Sequence, residues 1–483
     1  MDRATRRILE GPLAWELFRF GLPLAIGMAL QNAFNLIDAY LIAQLPSNEV
    51  AAAVGAVGVC DQIAAVGTIV CFGVTTATAT LLSTQHGAGD HEGVKRTAWQ
   101  SLIITAALSL LFGVGGFAAN FIAHDLIGLK GAVAEIATRY LRIILPGSFS
   151  IFFLLQMTSI QRALGSAKTP VLLLVLSNLI NLVFAVVCLY GTEPPNAKLA
   201  WGAGVAASLG IPRMGMVGAA WATVTARTLA LVPIAILLVT RFRLKPTGGL
   251  GPDMREIKRI LKLAWPSSTQ FVLRIGAMLL VNSLVARFYS TAEDQTATTA
   301  MGLVFRVDTM ALFVAMGWGS AAQTFVGQNL GAGGRARAIR AGWLTSVYDF
   351  GTNVVLCALL FFFAPKVLRF FGKDEGAVLV GLDYLRVVAP SYLALGFAIV
   401  LGNAIVGAGA TKTTLKLDAL ILLAVQVPLC LVATGVLHGS ITMLFGCVAV
   451  TSVIGAILYA FVYSRGRWRE RTSPISSPTP LES

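Results

Sequence analysis

One carboxylate stands inside a long uncharged part of the chain. Asp38 occurs in QNAFNLIDAYLIAQL (31–45), within a run that carries no other charge from Gly21 onward. On a helix, positions i, i+4 and i+7 lie on one face, so Gln31, Asn35 and Asp38 form a polar stripe. A polar stripe within an apolar segment faces protein or water rather than lipid, and an acid there marks an ion or proton pathway. We therefore expect Asp38 to exchange a proton near neutral pH, with a structural hydrogen-bonding role as the alternative.

Other polar residues in apolar segments extend this list. Asn178 and Asn181, in SNLINLVFAVV, share a helical face, and Thr223 follows in GAAWATV. For each asparagine, helix–helix hydrogen bonding is as plausible as ligand binding. Pro23 precedes the stripe and removes one backbone hydrogen bond, which favours a helix kink that could make this segment a moving part.

The elements that must position these residues are membrane helices. Hydrophobic residues make up 56% of the 483 residues and charged residues only 12%, far from the roughly 25% of soluble domains. Segments long enough to cross a bilayer recur twelve times. They predict an all-α integral membrane protein with spans near 16–44, 50–82, 96–122, 133–160, 169–191, 213–240, 258–288, 297–327, 337–363, 378–406, 414–437 and 440–463.

The net charge of +14 follows the predicted topology. Basic residues concentrate in the even-numbered turns, in the central connection and in both tails, whereas the odd-numbered turns are poorer in them. The positive-inside rule then predicts a multi-pass protein of a bacterial inner (plasma) membrane, with both termini in the cytoplasm. The lipid bilayer, and not nucleic acid, is the expected partner of this charge.

Two halves of the chain repeat at one offset. QHGAGDHEGVKRTAW at 85–99 parallels QNLGAGGRARAIRAGW at 328–343, YLRIILP at 140–146 parallels YLRVVAP at 384–390, and GSAKT at 165–169 parallels GATKT at 409–413, each displaced by 244. Six spans per repeat predict a pseudo-twofold axis along the membrane normal. The expected domains are an N-terminal bundle (1–241), a cytoplasmic connector (242–257), a C-terminal bundle (258–464) and a disordered tail (465–483).

The repeated turns QHGAGD and QNLGAG, with IPRMGMVGAAWATV, TFVGQNLGAG and GAGATKT, resemble the multidrug and toxic compound extrusion (MATE) family. The resemblance extends from Pro23 to about Tyr463 and is closer to the DNA-damage-inducible and archaeal type than to the sodium-coupled type. It implies a monomeric antiporter that exports small amphipathic, often cationic, organic compounds by alternating access. A proton or sodium ion drives the export, with no other cofactor.

The resemblance also implies roles for individual residues. Pro23 and Asp38 match the first-span proline and the carboxylate that binds the coupling ion, and Gln31 matches a pocket position. Asn181 matches the asparagine of an N-x-x-x-D pair whose acid is replaced here by Ala185. Coupling is thus expected in the N-terminal bundle, through Asp38 with neutral polar partners. Those partners are Asn178, Asn181 and Thr223.

Three further predictions concern other buried polar groups. Arg274 and Asp308 lie about twelve residues into neighbouring antiparallel spans, so we expect a structural ion pair between them at similar depth. Asp61, in the second span, could line a pocket or serve packing. Tyr140 occupies the same repeat position as Tyr384 and is a candidate substrate contact, as are Gln31, Asn35 and Asp61.

Other classes of protein fit the sequence less well. The four histidines lie at turns or span ends, and no catalytic or metal-binding motif occurs, which argues against an enzyme or a metal protein. A flippase for lipid-linked saccharides, from the same superfamily, is the alternative; it typically carries about fourteen spans and a more cationic cavity. A major facilitator carrier would have a GxxxDRxGR-like turn after the second span, where this chain has GAGDHEGVKR.

Overall fold

The protein is built from long membrane-spanning helices. A computed structural model describes residues 3–45, 47–244, 251–291, 293–371, 374–466 and 468, and every regular element within these ranges is helical. Eleven helices are long and apolar enough to cross a bilayer, and one bent pair supplies a twelfth, so the predicted fold and span count are confirmed. The spans, numbered along the chain, are span 1 Leu13–Ala43, span 2 Ser47–Gly87, span 3 His91–Leu126, span 4 Gly131–Ile144 with Ser148–Ala163, span 5 Lys168–Tyr190, span 6 Met216–Thr240, span 7 Met254–Phe288, span 8 Thr296–Gly331, span 9 Arg335–Phe371, span 10 Glu375–Gly407, span 11 Thr411–Val436 and span 12 Ile441–Arg465.

Spans 1–6 and 7–12 form two bundles that meet where spans 1 and 2 pack against spans 7 and 8. Phe20 of span 1 stacks edge-on against Phe325 of span 8, with ring centroids 5.5 Å apart. Phe72 of span 2 and Phe271 of span 7 lie 4.9 Å apart. This crosswise packing is the pattern that a pseudo-twofold axis produces. The domain boundaries stay a prediction, because the connector residues 245–250 and the tail residues 467 and 469–483 lie outside the described residues.

The repeated glycine turns contact each other across the two bundles. A Cβ atom at Gly87 would lie 2.0 Å from the carbonyl oxygen of Gln328, and one at Gly331 would lie 2.0 Å from that of Thr84. Thr84 and Gln328 are themselves repeat equivalents, so the two contacts are copies of one another. Only glycine permits this approach of one backbone to the other. We call these four residues the glycine seam; it lies at the end of spans 2 and 8.

Prolines repeated in the two halves interrupt two helices. Pro146 lies between the segments of span 4, which meet at a 45° bend. Its repeat equivalent Pro390 lies in a 3-10 turn, Ala389–Ser391, within span 10. Proline lacks a backbone donor and clashes with the preceding turn, which accounts for both interruptions. Pro23, in contrast, lies inside a continuous helix from Leu13 to Ala43, and its role as a kink stays a prediction.

Candidate functional site

Spans 1 and 5 bring the predicted polar stripe together with the asparagines. The amide nitrogen of Asn181 donates to both carboxylate oxygens of Asp38, each at 2.9 Å. One helical turn away, the amide nitrogen of Asn178 donates to Oε1 of Gln31 at 3.0 Å. Span 5 presents both asparagines because they are three residues apart, and span 1 presents Gln31 and Asp38 because they are seven apart. The shared faces inferred from spacing are therefore confirmed.

Asn181 retains an acceptor beside the carboxylate. Its side chain is buried, and its Oδ1 atom has no hydrogen-bond partner among the described residues. Carboxylate and amide oxygens are the ligands that hard cations take in proteins. Asp38 and Asn181 thus offer oxygen atoms that suit either a proton or a small cation.

The structure gives no contact with Asp38 for the two other residues predicted at this site, Asn35 and Thr223. Asn35 belongs to the helix of span 1, but its side chain lies outside the described residues. Thr223 is half-buried on span 6, and no described contact places its hydroxyl on Asp38. Their predicted roles therefore stay predictions.

An arginine that the sequence analysis missed lies close to this site. Arg227 of span 6 interacts electrostatically with Asp38, Asp61 and Tyr140. Tyr140 is buried, whereas the side chain of Asp61 is exposed. The signal was present in the sequence: Arg227 is the only charge in MVGAAWATVTARTLALVPIAILLVT, eleven residues after Met216. A lone cation in the middle of a span needs an acidic neighbour, and here it has two.

The predicted ion pair between Arg274 and Asp308 is wrong. Nε of Arg274 lies 2.7 Å from Oδ2 of Asp418 in span 11, and that carboxylate is only 5% exposed. Gln270 and Tyr459 also donate to Asp418, at 2.7 and 2.6 Å. Similar depth does not define lateral neighbours, and span 7 packs more extensively against span 11 than against span 8.

Asp308 of span 8 binds tyrosines instead. The hydroxyl of Tyr384 donates to its Oδ2 at 2.6 Å, and the hydroxyl of Tyr392 donates to Oδ1. Both tyrosines come from span 10 and are buried. The repeat equivalence of Tyr140 and Tyr384 extends to their surroundings, because each lies near an acid on the second helix of its own bundle, Asp61 on span 2 and Asp308 on span 8.

A cavity of about 330 Å³ lies largely within the C-terminal bundle. Its wall includes both C-terminal polar groups, namely Asp308 with its tyrosines and the Arg274–Asp418 pair. The N-terminal bundle contributes residues of spans 1, 2 and 4. None of Gln31, Asp61 and Tyr140 lines this cavity, so their role as substrate contacts stays a prediction. The roles of Tyr392 and Asp418 have no local signal in the sequence, because the residues that they contact, Asp308 and Arg274, belong to other spans.

Two six-span bundles with buried polar groups in each, and a cavity lined by carboxylates in the second, define a membrane transporter. The two halves are chemically unequal, with an acid bound by an amide in one and an acid bound by tyrosines in the other. The chain belongs to the MatE family, whose model matches residues 23–187 and 266–432. One match falls in each half, as the internal repeat requires.

Related proteins cover nearly the whole chain. Probable multidrug resistance protein YpnP of Bacillus subtilis is 26% identical over 462 residues, which cover 95% of this chain and 97% of that protein. A protein of Shewanella oneidensis named FAD transporter is 24% identical, covering 82% of this chain and 83% of that protein. A solved structure described as an outward-facing conformation of a multidrug resistance MATE family transporter of the MOP superfamily aligns with a TM-score of 0.84. It is 22% identical, covers 97% of this chain and 99% of that chain, and shares the fold.

Proposed function

We propose that this protein is a secondary active antiporter that exports amphipathic, often cationic, organic compounds in exchange for protons or sodium ions. The observation that carries the proposal is the Asp38 carboxylate, bound through both oxygens by Asn181 inside a transporter fold. Relatives named as multidrug resistance proteins support organic compounds as the cargo.

The charges of the N-terminal bundle favour one monovalent coupling ion. Asp38 and Asp61 carry two negative charges, and Arg227, which interacts with both, carries one positive charge. The group therefore has a net charge of −1 when both acids are ionised. When the bundle closes and excludes water from this group, an uncompensated charge becomes costly, so a single proton or sodium ion stabilises the closed bundle. The three side chains together are electrically neutral only when one proton or sodium ion is bound.

The difference in free energy between the ion-bound and the ion-free site couples ion entry to substrate exit. With the ion bound, the N-terminal bundle can close around a neutral site and expose it to the other side of the membrane. Once the ion leaves, the restored negative charge favours water or a cationic substrate near the site. Alternating access then follows from movement of the two bundles about their shared interface.

Asn181 orients the carboxylate for this exchange. Its amide nitrogen holds both oxygens of Asp38, and its unpartnered Oδ1 adds an oxygen ligand. The same pair of residues therefore accommodates a proton on the carboxylate or a sodium ion between carboxylate and amide oxygens. Ala185, which replaces the acid of the related motif, is buried and leaves this role to Asp38.

The proposal also covers the membrane, the orientation and the oligomeric state of the protein. It acts as a monomer in a bacterial inner membrane with both termini in the cytoplasm, and it uses no cofactor other than the coupling ion. The positive-inside distribution of its basic residues supports this orientation.

Ethidium transport into energised everted membrane vesicles tests the proposal. Wild-type protein should accumulate the dye when a proton or sodium gradient is present, and Asp38→Asn should abolish that accumulation because the neutral amide carries no negative charge for a proton or sodium ion to neutralise. Asp383→Asn, which removes an exposed acid paired with Arg386, is the matched control and should transport normally. Full gradient-driven transport by Asp38→Asn, or dye movement that needs no gradient, would contradict the proposed mechanism.

A further inference from the structure

The cavity of the C-terminal bundle contains a carboxylate, Asp308, that pairs with no lysine or arginine among the described residues. Both oxygens of Asp308 accept tyrosine hydroxyls, an arrangement that suits the ionised carboxylate. Asp308 lies twelve residues from Thr296, the start of span 8, which places it about 18 Å along that helix. In the described part of the chain, no lysine or arginine forms an ion pair with it.

The basic residues that share the cavity wall are unavailable to Asp308. Arg274 is bound to Asp418 at 2.7 Å. Arg162 lies next to Ala163, whose carbonyl oxygen accepts a hydrogen bond from Gln328 of span 8. Gln328 is twenty residues from Asp308 along that span, a rise of about 30 Å. The carboxylate thus faces the cavity with neutral hydrogen-bond donors alone.

In the N-terminal bundle, an arginine supplies the counter-charge for the acids. Arg227 of span 6 accompanies the acids of the N-terminal bundle. Spans 6 and 12 are the sixth helices of their bundles, and aligning their first residues, Met216 and Ile441, places Ser452 at the position of Arg227. This offset of 225 (441 − 216) is smaller than 244 because residues 191–215 link spans 5 and 6, whereas only residues 437–440 link spans 11 and 12. Ser452 lines the cavity. Asp308 of the C-terminal bundle therefore has a serine at the position where the acids of the N-terminal bundle have Arg227.

We infer that Asp308 binds the positive group of an amphipathic organic monocation, which supplies the missing counter-charge. The inference rests on the proposed export of organic compounds and assigns their cationic group to the C-terminal bundle, separate from ion coupling at Asp38. A quaternary or protonated centre would lie against the carboxylate and the two tyrosines, whose rings favour cations.

The rest of the cavity suits the apolar part of such a ligand. Phe72 and Phe271 form a close aromatic pair in the wall, at the boundary of the two bundles. Four methionines with flexible side chains adapt to ligands of different shape. They are Met28, Met278, Met301 and Met316.

Direct binding of tritiated tetraphenylphosphonium to purified protein in nanodiscs tests this assignment. Asp308→Asn should weaken binding roughly 10- to 100-fold, the effect of losing an interaction with a charged partner. Asp308→Glu, which keeps the charge, should recover most of the affinity. Asp383→Asn, on the exposed surface of the same bundle, should bind like the wild type. Wild-type affinity in Asp308→Asn would overturn the inference and leave the proposed antiport intact.

A second pair of variants keeps the acid and changes its surroundings. Ser452→Lys adds an unpaired cation to the cavity wall and should lower phosphonium affinity about tenfold or more, whereas the uncharged Ser452→Gln should have a much smaller effect. This comparison also decides the matter if Asp308→Asn does not fold. Equal affinity in the two Ser452 variants would overturn the inference. Wild-type protein that exports ethidium but binds no phosphonium would contradict the inference alone, whereas failure to transport ethidium under any gradient would contradict the proposed function.

Discussion

The Arg274–Asp418 pair provides a quantitative test of the interior of the C-terminal bundle. The charged atoms are 2.7 Å apart, and the side chains are 27% and 5% exposed. Removing one partner of a buried pair typically costs about 3–5 kcal/mol because it leaves an uncompensated charge, whereas replacing both by apolar residues is often close to neutral. We therefore expect strong coupling between Arg274→Met and Asp418→Leu.

The residues around Arg274 and Asp418 determine how much stability each single variant loses. Without Arg274, Asp418 still accepts hydrogen bonds from Gln270 and Tyr459, so Arg274→Met should cost about 3 kcal/mol, the lower end of the range. Without Asp418, Arg274 loses its carboxylate and the other two residues lose their acceptor. Asp418→Leu should therefore cost about 4 kcal/mol, and the double variant only about 1–2 kcal/mol.

Thermal unfolding in detergent, followed by loss of the monodisperse peak, measures all four proteins of this double-mutant cycle. The double variant should melt above Asp418→Leu. A parallel cycle of Arg274→Met with Asp308→Asn is the control and should be additive, because those residues do not pair. Additive losses for Arg274 and Asp418, or strong coupling between Arg274 and Asp308, would refute the arrangement.

Two further predictions concern the N-terminal bundle and the interface. Asn181→Leu removes the hydrogen bonds that stabilise the ionised carboxylate of Asp38, so the carboxylate should hold a proton more tightly and proton-driven efflux should reach half its maximum at a proton concentration about tenfold lower, whereas Asn178→Leu, which loses only a neutral bond, should have a smaller effect; equal effects would contradict the special role of Asn181. Gly87→Ala places a Cβ atom 2.0 Å from the Gln328 carbonyl and should separate the bundles at the glycine seam, seen as faster labelling of a cysteine introduced there, whereas Gly58→Ala, with no atom within 4 Å, should label like the wild type.

Sequence alone predicted the features that depend on periodicity. Twelve apolar segments predicted the twelve spans, and the spacing of Gln31 and Asp38 predicted their shared face. Both results follow from the geometry of a single helix, which sequence specifies directly. The repeat offset likewise anticipated two equivalent bundles.

Features that depend on lateral neighbours were harder to predict. The distance along a span placed Arg274 and Asp308 at similar depth, but helix packing gave each a different partner. Arg227 was missed because a lone cation in an otherwise apolar span belongs to no motif, and its acidic neighbours come from other spans. The cavity in the C-terminal bundle has residues from several spans, and no local pattern marks it.

The glycine seam has a consequence for the speed of the transport cycle. Its close contacts are between backbone atoms of two turns at the ends of spans 2 and 8, where Ala88 and Ala332 are exposed. The carbonyl oxygens of Thr84 and Gln328 accept hydrogen bonds within their own turns, from Ala88 and Ala332, so the two close contacts do not depend on hydrogen bonds between the bundles. Neither glycine has a side chain that must be repacked when the turns move apart. The repeated glycines thus add little resistance to relative movement of the bundles at this end of the molecule.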